Sequence, residues 1–99
     1  SLDLFRQAAE EGCTEAQFNL ATCYEGGDGV GLDKSAAFKW YVVAANQGYP
    51  PAQCNLGYCY LNGDGTFPNK ELALEWFKAA ASNGIAEALD ELDNVPWDT

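Results

Sequence analysis

Four cysteines, fifteen carboxylates and no histidine make up most of the chemically active side chains in this 99-residue chain. Without histidine, Ser-His and Cys-His nucleophile pairs and histidine-based metal sites cannot be assembled within it. Cys13, Cys23, Cys54 and Cys59 are separated by 10, 31 and 5 residues, so none forms the C-x-x-C pair of a structural zinc site. The segment DGVGLDKS ends in Lys34 and Ser35 as a phosphate-binding loop does. Its two required glycines, however, fall on Asp28 and Asp33, whose charges repel phosphate, and the loop follows a helical pattern rather than a strand. NGDGT suggests a calcium loop, yet counting from Asn62 puts Phe67 where glycine must turn the chain and Ala73 where glutamate must close the site. No G-x-S-x-G elbow or S-x-x-K motif occurs. No catalytic residue, metal ligand or cofactor-binding residue is assigned, and the chain reads as a non-enzyme.

Turn chemistry accounts for both Gly-Asp segments, because consecutive Gly and Asp residues link two helices at little backbone cost. The segments also recur. NLATCYEGGDG at residues 19–29 returns as NLGYCYLNGDG at 55–65, an offset of 36. At that offset Ala16, Gln17, Asn19, Leu20, Cys23 and Tyr24 become Ala52, Gln53, Asn55, Leu56, Cys59 and Tyr60. Lys34, Ala37, Trp40, Ala44, Ala45 and Gly48 become Lys70, Ala73, Trp76, Ala80, Ala81 and Gly84. Self-similarity at such a period marks a stacked repeat architecture.

Within one copy the apolar residues keep helical spacing: Ala16, Leu20 and Cys23, then Ala37, Trp40, Tyr41 and Ala44. The pattern predicts a first helix (A) over roughly 15–25 and a second (B) over roughly 33–47, then A again at roughly 51–61 and B at roughly 69–82. Asp33 and Asn69 are expected to cap the B helices, Pro51 suits a helix start, and Gly48 suits the left-handed position after one. A lone amphipathic hairpin cannot bury its apolar side, so neighbouring hairpins must shelter one another, with Trp40 and Trp76 in the stacking core. The expected domain is single and all-α, divided as 1–12 (a B helix of an incomplete repeat), 13–48, 49–84, and 85–99 as a partial repeat or polar cap. LFRQAAEEG lacks an A partner, so the array is expected to extend before Ser1; Trp97 has no counterpart and either closes the last hairpin or makes a contact.

The pattern carried by Ala52, Leu56, Gly57, Tyr60, Gly63, Gly65, Lys70, Ala73, Trp76, Phe77, Ala80, Ala81 and Gly84, and by their counterparts one copy earlier, resembles the Sel-one-like repeat, a relative of the tetratricopeptide repeat. The first copy departs at Ala21, which replaces Gly57 but is still small. The resemblance implies a right-handed α-α superhelix, a solenoid of antiparallel helix hairpins that acts as an adaptor or scaffold in multiprotein complexes. The spacing of the cysteines does not match the disulfide-bridged, cysteine-rich members of that family. Stacked helix axes lie about 8–10 Å apart and a disulfide needs Cα atoms within about 7 Å, so Cys23 and Cys59 are expected as buried free thiols, which suits a reducing compartment.

Positions that differ between copies are free for binding. Glu15, Phe18, Thr22 and Glu25 lie on one face of helix A, and their counterparts Pro51, Cys54, Tyr58 and Leu61 nearly all differ. The resemblance places this stripe along a concave groove, expected to hold an extended or helical protein segment with basic and apolar anchors. A net charge of −10 agrees with a basic partner and disfavours nucleic acid and anionic membrane. The competing expectation is an architectural segment of a large assembly, held by a surface rather than a groove.

Overall fold

The computed structural model describes residues 2–26 and 33–95. The expectations placed on Gly27, Asp28, Gly29, Pro96 and Trp97 lie outside them. Within the described residues the chain forms six α-helices and no strand: α1 (Leu2–Glu10), α2 (Thr14–Gly26), α3 (Lys34–Asn46), α4 (Pro50–Asn62), α5 (Lys70–Ser82) and α6 (Ala86–Asn94). Each helix packs chiefly on the next in sequence, and the molecule measures 42 × 24 × 17 Å. This is a linear array, with α2, α4 and α6 as A helices and α1, α3 and α5 as B helices.

The helix ends follow from local chemistry. Asp33 and Asn69 sit just before α3 and α5, where their side-chain oxygens accept from the N–H of Ala36 and Leu72 at 3.1 Å. Each cap satisfies one of the amides that the first turn leaves unpaired. After α3 the chain reverses through Gly48 at φ 88°, a left-handed conformation that a Cβ would disfavour, and Gly84 repeats it at φ 93° after α5. The same groups close both A-to-B connections: Asp33 N–H bonds Tyr24 carbonyl at 3.0 Å, and Asn69 N–H bonds Tyr60 carbonyl at 2.7 Å.

The core repeats with the sequence. Leu20 and Leu56 are fully buried at one register, and Tyr41 and Phe77 at another. Small residues let the helices close on these rings: a Cβ on Gly57 would stand 3.0 Å from the Phe77 ring. Trp40 packs against the cluster of Ala9, Ala16 and Leu20, and Trp76 against that of Ala21, Ala37, Tyr41 and Leu56, so both occupy matching places between hairpins. Neither indole is fully enclosed, however. The centre of each hairpin belongs to the next residue, Tyr41 or Phe77, and the tryptophans seal its edge.

A polar joint also recurs. Gln17 on α2 is buried, donates to Ala9 carbonyl on α1 at 3.0 Å and accepts from Gln47 Nε2 after α3 at 2.7 Å. Gln53 on α4 donates to Ala45 carbonyl on α3 at 3.4 Å and accepts from Asn83 Nδ2 after α5 at 3.0 Å. Each glutamine therefore ties its A helix to the B helices on both sides, which gives a physical reason for the Ala-Gln pair in both copies.

The hydroxyl of Tyr41 is the exception. It is buried with no hydrogen-bond partner among the described residues, close to Asn55 and Glu25, and its ionisation is pushed far up, first by burial and then by the Glu25 charge. Phe77 fills the same register without a hydroxyl. Tyr41→Phe is therefore expected to leave stability unchanged or raise it by about 1 kcal/mol, since it removes an unsatisfied buried group. Urea titration checks this, and a loss would show that the hydroxyl is paired in solution.

Candidate partner-binding surface

The stripe chosen from the copy differences is spread over α2 and α4, and the structure treats its members unequally. Glu15 and Glu25 are exposed near opposite ends of α2. Phe18 is half-buried, its ring 5.8 Å from Tyr41 and 5.3 Å from Tyr49, the residue just before α4. Thr22 turns its hydroxyl back to Asn19 carbonyl at 2.8 Å, so its remaining surface is mostly methyl. On α4, Pro51 and Leu61 are half-buried. Cys54 is only 3% exposed, enclosed with Ala73, Phe77, Ala80 and Ala88, so it supports the surface from below.

Tyr58 is the most engaged of the set. Its ring stands edge-on to Phe77 at 5.0 Å, and its hydroxyl lies 2.9 Å from Glu87 Oε1 and 3.2 Å from Glu91 Oε1. A phenol has one proton to donate, so the two carboxylates, four residues apart on α6, share it. Burial, then Glu87 and Glu91, push the Tyr58 ionisation far above its ordinary range. The hydroxyl remains a donor at every physiological pH and holds α6 against α4.

Adding the repeat length to Pro51, Cys54 and Tyr58 lands on Glu87, Asp90 and Asn94, which continue the stripe onto α6. Residues 85–99 are expected from the sequence as a partial repeat or polar cap, but the stripe is assigned only to α2 and α4, because the third copy keeps too few repeat positions to show its face. With α6 included, a charge asymmetry appears. The A helices carry Glu15, Glu25, Glu87, Asp90, Glu91 and Asp93 and no cation. All five cations of the chain, Arg6, Lys34, Lys39, Lys70 and Lys78, lie on the B helices. One layer of the solenoid is acidic and the other mixed.

All four cysteines are free, and the expectation of buried thiols holds for Cys59 but not for Cys23, which is half-buried. Cys59 is sheltered by the α2–α3 hairpin, whereas among the described residues α2 has only α1 on the corresponding side. Burial, with Glu25 second, pushes the Cys59 thiol up to about 12, and burial with Glu87 and Glu91 pushes Cys54 up to about 11. Near pH 8 almost none of either is thiolate. Iodoacetamide is expected to label exposed Cys13 first and to reach Cys54 and Cys59 only at the rate of unfolding, as peptide mapping by mass spectrometry would show. Among the described residues no three Cys, Asp or Glu side chains converge as metal ligands, and no helix is long and apolar enough to cross a membrane.

Solved structures carry the same architecture. The chain superimposes on a Sel1 repeat protein from Oxalobacter formigenes with TM-score 0.90 and 40% identity, covering 92% of this chain and 68% of that one. A protective antigen present in uropathogenic Escherichia coli strains, displaying an SLR fold, matches with TM-score 0.91 and 35% identity over 92% of this chain and 20% of that one. Helicobacter pylori cysteine rich protein B matches with TM-score 0.85 and 25% identity over 90% and 67%. Among curated proteins none matches. The Sel1 repeat model covers residues 1–13, 14–49 and 50–85, so the chain belongs to the Sel1 repeat family, whose helical solenoids are generally non-catalytic modules of protein–protein interaction.

Proposed function

We propose that this chain is a non-enzymatic interaction module whose A-helix layer receives a basic or amphipathic segment of a protein partner. The observation that carries this reading is the partition of charge: six carboxylates and no cation on α2, α4 and α6, against all five cations on the other layer. Such a layer attracts lysine and arginine from a distance and repels acidic competitors. Between the carboxylates, Phe18, the methyl of Thr22, Leu61 and the Tyr58 ring offer half-buried apolar and aromatic area for anchors. Glu87 and Glu91 repel each other as an i, i+4 pair, and Tyr58 has one proton for both, so a partner's cation would relieve that repulsion further.

A lysine-rich amphipathic peptide serves as the probe. Its affinity is expected to fall as salt rises, because exposed charges are screened over about 10 Å at 0.1 M. The pairs Glu15→Gln with Glu25→Gln, and Glu87→Gln with Asp90→Asn, are each expected to weaken binding by about three- to tenfold at low salt with helicity unchanged. Equal affinity in both variants and no salt dependence would reject the acidic layer as the binding face.

A further inference from the structure

The outer face of α3, opposite its buried stripe of Ala37, Tyr41, Ala44 and Ala45, holds a groove of about 280 Å³ lined, among the described residues, by Ala36, Lys39, Trp40 and Val43. Val43 is 39% exposed although it is an apolar, β-branched residue, and Lys39 makes no ion pair among the described residues. Their counterparts on α5 are Leu72, Glu75, Trp76 and Ala79. Only the tryptophan is kept, so stacking needs the indole and leaves the other three positions free. We propose that this groove is a second docking site, separate from the acidic layer, that takes one apolar side chain of a partner segment with an adjacent carboxylate paired to Lys39.

Size and charge choose this occupant. The volume lies just below the range of about 300–1,000 Å³ typical of whole small-molecule ligands, so it suits a single aliphatic or aromatic side chain. No acid lies on α3, and among the described residues that line the groove the charged one, Lys39, is positive. On a chain of net charge −10 whose A layer repels carboxylates, Lys39 beside an apolar wall is a place where an acidic segment can dock. One anchored side chain and one exposed ion pair give a short probe a dissociation constant of roughly millimolar order.

The test is a titration of the acetylated amide of Ala-Asp-Leu-Asp-Ala, followed through the Trp40 indole N–H resonance, which Trp40→Phe assigns. A saturable shift is expected. Lys39→Glu and Val43→Ala place at each position the residue type that α5 already carries, so the fold tolerates both; Lys39→Glu is expected to weaken the probe by about fivefold. A probe with asparagine in place of aspartate is expected to bind as weakly as that variant allows. An unmoved Trp40 resonance, equal curves for wild type and Lys39→Glu, or equal affinity for the asparagine probe would each overturn the proposal. Ala-Lys-Leu-Lys-Ala, titrated in parallel and read on the α2 and α6 amides, reports separately on the acidic layer.

Discussion

Replacing Leu56 with alanine is expected to remove about 2–5 kcal/mol of stability, while Leu92→Ala costs clearly less. Leu56 is fully buried at the junction of α2, α3 and α4, among Ala21, Tyr41, Ala45, Ala52 and Cys59. Helices on both sides hold that cavity open, so the loss combines the transfer of three side-chain carbons with an unfilled void. Leu92 sits half-buried on α6, packed against the cluster of Ala73, Phe77 and Ala88, where α5 is the main neighbour. Stability in a stacked array is a sum of repeat and nearest-neighbour contributions, so a central residue loses two interfaces and a peripheral one loses part of one. Urea titration of the two variants gives the comparison, and equal losses would argue against a linear array.

The second large effect is expected at Gly65, where alanine should cost about 2–4 kcal/mol. Gly65 has φ 75°, which any side chain disfavours, and a Cβ there would overlap the carbonyl of Lys34 and come within 2.9 Å of Phe38 Cβ. The obstacle is mostly backbone of the preceding hairpin and cannot swing aside. The α4–α5 connection is consequently pressed onto the start of α3, assisted by the Phe38–Tyr60 ring contact at 5.4 Å. The Lys34–Asp64 ion pair at 3.2 Å spans the same joint, but Lys34 is exposed and Asp64 only half-buried, so Lys34→Gln should cost under about 1 kcal/mol. Gly65→Ala therefore tests whether the Gly-Asp-Gly connection acts between hairpins rather than only within one. A loss no larger than that of Lys34→Gln would place the contact outside the stable fold.

Much of this was readable from residue order. The offset of 36 located both hairpins, and Asp33, Asn69 and Gly48 marked the termini where the structure has them, because caps and left-handed turns depend on residues adjacent in the chain. Features joining distant residues were less visible. Gln17 and Gln53 recur plainly, yet their partners Ala9 and Ala45 are carbonyls that only the packed array brings near. The Leu, Trp and Ala positions expected between hairpins do meet there, with Leu20, Leu56 and the alanines buried and Trp40 and Trp76 packed at the edge; which rings are fully enclosed, Tyr41 and Phe77, is set by the packed array. In the candidate surface, Glu15 and Glu25 are exposed. Cys54 and Tyr58 are drawn toward α6, because Glu87, Glu91 and Ala88 come from a copy whose likeness to the others is slight.

The reading of one acidic face and one mixed face can be examined directly by titrating the lysine-rich amphipathic peptide into isotopically labelled protein and mapping amide shifts. The perturbed amides are expected to fall on α2, α4 and α6, strongest near Glu15, Glu25, Tyr58 and Glu87, and to fade as salt is raised. Perturbations centred on α1, α3 and α5, or a map indifferent to salt, would contradict it.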